Sequence, residues 1–208
     1  MNDVRGLVQA ALAAVNQGRW NEAEQIWHQV LAIDPRHPQA LYSVGVHAFK
    51  RGQLSEALQA LQAAHAAAPQ DPVVLLSVAA VLREQGDRVA ELKAIEACLA
   101  ADPYFLPGLL AKATHLEQHG QRKDAAVVYG NALKVAPAQA QWPAALRPQL
   151  QHAHELVQTI GTEMAAYLAQ QTGTRMAALP PSEAERWREA GALLSGQTEV
   201  YPSKCARV

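Results

Sequence analysis

Eight histidines and two cysteines are the residues of this 208-residue chain best suited to chemistry at neutral pH. His115 and His119 stand four apart, a spacing that puts two imidazoles on one helix face and can bind zinc or nickel. The further donors nearby are Glu117, which lies about 200° round a helix from His115, and Asp124 across a turn. Neither completes a site, so no metal is expected, and the pair reads as exposed histidines beside a turn. His152 and His154 are two apart and diverge. Cys98 falls in an apolar register and reads as a small buried hydrophobe with an inert thiol. Cys205 lies near the C-terminus, where exposure alone would make it reactive. Two distant cysteines are not a disulfide framework. No Gly-x-Gly cluster offers to cradle a phosphate, and no Gly-x-Ser-x-Gly or other nucleophile arrangement occurs. No catalytic residue and no cofactor are therefore expected, and the chain is read as no enzyme.

Composition points the same way. Half of the residues are apolar but only 5% are aromatic, and alanine runs such as Ala66-Ala67-Ala68 recur. That bias suits closely approaching helices better than strands. A net charge of −1 and a pI near 6.7 argue against nucleic acid and against a polybasic membrane patch. No apolar run is long enough to span a bilayer. The N-terminus lacks the basic and apolar regions of a secretory signal, because Asn16, Gln17 and Arg19 soon interrupt it. A soluble, cytoplasmic, all-α protein of one domain, or two small ones, is the expectation.

The elements that must position these side chains come from a repeat. Pro35, Pro69, Pro103 and Pro137 are spaced by 34 residues, and Gly18, Gly52, Gly86 and Gly120 share that period. Leu7, Leu41, Leu75 and Leu109 open the first helix of each unit, with small Ala11, Gly45, Ala79 and Ala113 four residues on. Trp27, Leu61, Ile95 and Tyr129 hold equivalent places in the second helices. Apolar residues at i, i+3, i+4 and i+7 give each helix one buried stripe. Glycine ends the first helix through a left-handed conformation, and proline stops the second. Ala23, Ala57 and Ala125 on the second helices meet the small residues of the first. Such hairpins must stack to hide their apolar faces. The third unit departs, with Glu91 where a small residue belongs. Ala90 beside it implies a locally rotated second helix.

This pattern resembles the tetratricopeptide repeat, with Val44-Gly45, Ala57-x3-Leu61 and Pro69 in the second unit, Ala23-x3-Trp27 and Pro35 in the first, and Ala125-x3-Tyr129 and Pro137 in the fourth. The resemblance covers about residues 4–139 and implies a right-handed α-solenoid of four hairpins, at about 4–37, 38–71, 72–105 and 106–139. It also implies a concave face, built from the first helices, that binds a peptide or partner protein. Helical phase puts Val8, Leu12, Val15 and Asn16 there, then Tyr42, Val46, Phe49 and Lys50, then Leu76, Ala80, Arg83 and Glu84, and finally Leu110, Thr114 and Glu117. The expected partner-binding set is Asn16, Tyr42, Val46, Phe49, Lys50, Leu76 and Arg83, since aromatic and Arg anchors carry most interface affinity. Tyr42 and Phe49 have a second reading, as packing between neighbouring repeats. The family's carboxylate clamp for chaperone tails is not expected, because Val8 and Leu12 stand where its charged residues would be. No base-reading pair recurs, as RNA-reading helical repeats would require.

The C-terminal third loses the period. Pro143 and Pro148 delimit a short helical turn, and residues 148–171 read as one helix with a stripe at Leu150, Ala153, Val157, Ile160, Met164 and Tyr167, ended by Gly173. A capping box at Ser182-x-x-Glu185 starts another helix that closes at Gly196. Residues 140–196 are expected to cap the stack and 197–208 to be irregular. Of the tryptophans, Trp20 and Trp27 are expected to pack in the first hairpin, and Trp142 and Trp187 to anchor the cap. Leu146–Ala153, Arg186-Trp187, Leu193-Leu194-Ser195-Gly196 and Tyr201-Pro202 resemble the segment that follows the repeats in bacterial relatives of aspartyl/asparaginyl β-hydroxylases. That resemblance implies, as the alternative function, the substrate-recruiting N-terminal region of a 2-oxoglutarate oxygenase without its catalytic domain. The iron-binding His-x-Asp and distant His of that family have no counterpart. His115-x-Glu117 is only a formal near-match, with side chains that diverge on a helix.

Overall fold

The computed structural model describes residues 3–177, with side chains described as far as residue 171. The chain falls into two compact units, Met1–Val157 and Gln158–Val208. The first holds four helix hairpins: α1 (Val4–Asn16) with α2 (Trp20–Ile33), α3 (Pro38–Lys50) with α4 (Leu54–Ala67), α5 (Pro72–Glu84) with α6 (Arg88–Ala101), and α7 (Leu106–Gln118) with α8 (Arg122–Val135). A 3-10 turn, Gln139–Gln141, precedes α9 (Arg147–Ala177), whose first turns belong to this unit. The hairpins form a helical solenoid, and the described residues are helix, turn and bend. No described helix is long and apolar enough to cross a membrane.

Punctuation sets the hairpins. Gly18, Gly52, Gly86 and Gly120 adopt φ of 72°, 74°, 77° and 78°, a left-handed conformation that glycine alone takes without a Cβ penalty. Each second helix ends two residues before its proline, at Ile33, Ala67, Ala101 and Val135. Asp3, Asp71 and Asp87 cap α1, α5 and α6 by accepting backbone N–H groups.

Small residues let the paired helices close. Ala11, Ala79 and Ala113 are buried against the second helices. At Gly45 a Cβ would lie 2.8 Å from Leu61 Cγ, so this crossing admits only glycine without adjustment. Trp27, Leu61, Ile95 and Tyr129 are almost wholly buried, each contributing about 1.5–3 kcal/mol of apolar burial. The second helix of the third hairpin is not rotated. Glu91, Ile95 and Cys98 are buried in the register of Ala57, Leu61 and Ala64. Glu91 is accepted there because His115 of α7 hydrogen-bonds it.

Several expectations change. Trp20 is not packed inside the first hairpin: it is 41% exposed and lies against Lys50 and His47 of α3. Trp142 is buried, and its Nε1–H donates to Pro137 O at 3.0 Å. Between Pro143 and Pro148 the chain makes a single turn, with Leu146 and Arg147 N–H both donating to Pro143 O. In α9, Leu150 and Ala153 are buried, but Leu156 rather than Val157 continues the buried stripe. A 3.6-residue helix drifts off a 3-4-3 register. Met164 and Tyr167 are exposed. Gly173 does not end the helix, which runs on to Ala177; a glycine inside a helix costs only about 1 kcal/mol. The capping box at Ser182, the closure at Gly196, Trp187, Cys205 and residues 197–208 lie outside the described residues.

Candidate functional site

Among the described residues, three cavities open along the face that carries the first helices, one of them beside Thr114, Glu117 and Gln118 of α7 with Tyr129 and His152. A first, of about 220 Å³, lies between the first hairpin and α3 and is lined by Val15, Trp20, Trp27, Tyr42, Val46 and Lys50, with Ala23, Glu24, Ser43 and His47. Its wall is almost wholly apolar side chain, with polar groups at a few points. The Lys50 ammonium sits 3.7 Å from the centre of the Trp20 ring, a cation–π contact worth about 0.5–1 kcal/mol at an exposed site. The His47 ring stacks near Trp20 with the planes 17° apart. Glu24 Oε2 accepts Arg51 Nη1–H at 3.0 Å and lies 3.0 Å from His47 Nδ1, but without the alignment of a hydrogen bond. The buried Trp27 Nε1–H has no acceptor among the described residues.

The second cavity, of about 280 Å³, lies between the third and fourth hairpins and is bounded also by the start of α9. Leu76, Ala80, Ile95, Pro107 and Leu146 give it an apolar lining, with Arg83, Glu91, Thr114 and Gln149 among its polar groups. His115 Nδ1–H donates to Glu91 Oε2 at 3.0 Å, and both side chains are about 5% exposed. His115 and His119 stack with centroids 4.3 Å apart, and His119 Nδ1–H donates to the His115 carbonyl at 2.6 Å. The expectation of two exposed histidines therefore fails for His115, because Glu91 draws it inside. No group of three or more His, Cys, Asp and Glu among the described residues could hold a metal ion.

A polar chain continues along α7. Tyr129 Oη–H donates to Glu117 Oε2 at 3.1 Å, the Thr114 hydroxyl lies 3.2 Å from Tyr129 Oη, and His152 Nε2–H donates to Glu117 Oε2 at 2.8 Å. Desolvation raises the Tyr129 phenol above its ordinary range; the Thr114 hydrogen bond opposes this and the Glu117 charge adds to it. Cys98 is buried, its thiol donating to Pro72 O at 3.3 Å. Burial, with smaller contributions from Asp102 and Asp71, pushes this thiol up to about 11.

The structure brings Tyr42, Val46 and Lys50 together around the first cavity, and Leu76 and Arg83 around the second. Asn16 is exposed and Phe49 half-buried, and neither lines these cavities. Tyr42, Val46 and Phe49 also pack against the core of the second and third hairpins, so Tyr42 and Val46 serve both cavity and inter-repeat packing, while Phe49 takes the packing role alone. Leu110 is only 1% exposed and leaves the surface set. Gly108 lets α7 settle onto α6, with its Cβ position 3.1 Å from Cys98 Sγ. Sequence reasoning missed Glu24, His47 and Glu91. The signal for Glu91 was its departure from the small-residue position; that for His47 was its place two 34-residue periods before His115.

Hairpins stacked in register with cavities along one face define a helical-repeat scaffold. Residues 8–72 match the family model of the tetratricopeptide repeat. A thermophilic TPR protein of Thermus thermophilus is similar at 20% identity over 92% of this chain and 100% of that one, with a TM-score of 0.60. MamA (residues 41 to the end) from Desulfovibrio magneticus RS-1 is similar at 24% identity over 64% of this chain and 76% of that one, with a TM-score of 0.58. An O-GlcNAc transferase mutant of Thermobaculum terrenum is similar at 18% identity over 63% of this chain but 26% of that one, with a TM-score of 0.59. At these identities the likeness is one of fold. No curated protein sequence matches significantly. Nothing in these comparisons supports the resemblance of the C-terminal third to the β-hydroxylase relatives.

Proposed function

We propose that this chain is a protein-interaction module whose first-helix face binds an extended peptide or a partner protein. The binding set is Asn16, Tyr42, Val46, Phe49, Lys50, Leu76 and Arg83, and the repeats divide at about 4–37, 38–71, 72–105 and 106–139. The observation that carries the reading is the convergence of Tyr42, Val46 and Lys50 with Trp20 and Trp27 on one apolar cavity. An apolar concavity with a few placed polar groups is where ligands gain affinity, and aromatic side chains are frequent anchors. No step of chemistry is assigned to the module.

Peptides selected from a random phage-displayed library on the full chain test this. Tyr42→Ala and Lys50→Ala are each expected to weaken the selected peptides roughly tenfold, the scale of an interface anchor. Selected peptides that bind both variants as tightly as the parent chain would overturn the assignment.

A further inference from the structure

We infer that the cavity between the third and fourth hairpins is a recognition site for a primary ammonium with a carbonyl oxygen on the next carbon and an apolar side chain, the chemistry of a polypeptide's free N-terminus. This rests on the reading of the first-helix face as a binding surface and names what one part of it recognises. Glu91 begins the case. The other hairpins carry Ala23, Ala57 and Ala125 at its position, all buried, so stacking needs no carboxylate there. Yet Glu91 is 4% exposed and forms part of the cavity wall. Its Oε2 accepts from His115 Nδ1–H, and its other oxygen has no donor among the described residues. That oxygen is not among the buried atoms left without a partner, so it is reached from the cavity that Glu91 lines, where a ligand that brings a donor can form a charge-assisted bond with it.

Arg83 supplies the second half. Its exposed side chain lines the same cavity and makes no ion pair among the described residues. A ligand bearing only a cation would be repelled by Arg83, and one bearing only an anion by Glu91. A ligand with a donor cation and an acceptor oxygen a few bonds apart satisfies both through charge-assisted hydrogen bonds. Leu76, Ile95 and Leu146 remain to cover an apolar side chain. About 280 Å³ is at the small end of ligand cavities and suits one residue. A free amino acid shares this chemistry, so the two sources must be separated by experiment.

The probes are L-leucinamide, N-acetyl-L-leucinamide, L-leucine and the tripeptide Leu-Ala-Ala, titrated into the ¹⁵N-labelled full chain. Leucinamide is expected to shift the backbone resonances of Ala80, Ala111 and Thr114, and its acetylated form to bind roughly tenfold more weakly or worse, because the charge-assisted bond is lost. Glu91→Gln keeps an acceptor for His115 and removes the charge; it should weaken leucinamide by a similar factor. Arg83→Gln, at an exposed position, does the same without risk to folding. Tripeptide binding assigns the site to chain N-termini, and binding by leucine alone assigns it to free amino acids. Equal binding of the acetylated and free forms overturns the inference. So does leucinamide without effect on these resonances. Library peptides that still depend on Tyr42 and Lys50 in either case would leave the broader reading standing.

Discussion

Glu91 and His115 are a buried hydrogen-bonded pair at a position where the same molecule also shows the dry solution. The equivalent residues one repeat earlier are Ala57 and Val81, both fully buried, at the junction of α4 and α5. Glu91→Ala with His115→Val therefore copies an interface that this backbone already builds. The single changes do not. His115→Val leaves a carboxylate with about 5% exposure and no partner, which costs about 3–5 kcal/mol. Glu91→Ala strands a buried imidazole N–H, costing about 1–3 kcal/mol. The double variant should lie near the parent or up to about 4 kcal/mol above it, since replacing a buried pair by apolar residues is often neutral or stabilising. Urea unfolding followed by far-UV circular dichroism measures all four corners of the cycle, with the m-value checked for constancy. The coupling should be at least about 2 kcal/mol, well above the scatter of independent sites. Additive losses, with the double variant the least stable of the four, would refute the pairing and the equivalence of the two junctions.

Two further outcomes follow from the core. Gly45→Ala pushes a Cβ to 2.8 Å from Leu61 Cγ, and should lower stability by about 1–3 kcal/mol, the range for overpacking; a thermal melt unchanged from the parent would contradict it. The Cys98 thiol, held up at about 11 against an ordinary 9.0, should resist a thiol reagent at pH 8 in a Cys205→Ser background and react at once in denaturant. Because the folded value is raised, the native state keeps its proton longer than the unfolded chain, so this contribution to stability is full below pH 9 and is lost as pH rises through 11. Urea midpoints that rise across that window would contradict the assignment.

The solenoid was readable because its signals are local and repeated. Each left-handed glycine and each proline acts on its own turn, and four copies of the pattern remove the ambiguity of any one. Heavy use of alanine likewise follows from helix crossings. The side chains between hairpins were harder. Whether Tyr42 serves a groove or a core depends on how far α3 stands from α2 and α5, a distance set by packing rather than by helical phase. Leu110 shows the same limit: helical phase puts it on the surface, yet the packed chain buries it. Glu91 was visible as an exception, but its partner lies 24 residues away on another helix. Only the folded chain shows that His115 satisfies it, and so that the exception is a polar contact and not a rotated helix.

That exception is part of a pattern. His47 and His115 occupy one repeat position, two periods apart, and each approaches a carboxylate from the second helix of the preceding hairpin: Glu24 for His47, Glu91 for His115. Val81 holds the position between them and packs with Ala57 in the core. Two of the cavities on the first-helix face lie at these junctions: Glu24 and His47 line one and Glu91 lines the other. Alanine and valine close a junction because their surfaces need only apolar neighbours. A carboxylate or an imidazole must be held at hydrogen-bonding distance and cannot be covered as evenly. Polar substitution at alternate junctions of an otherwise uniform stack thus places two sites of different character on one surface: aromatic with a lysine at its edge near the N-terminus, and carboxylate with guanidinium beside α9. A partner chain long enough to span both would have to present an apolar anchor to one and a donor–acceptor group to the other.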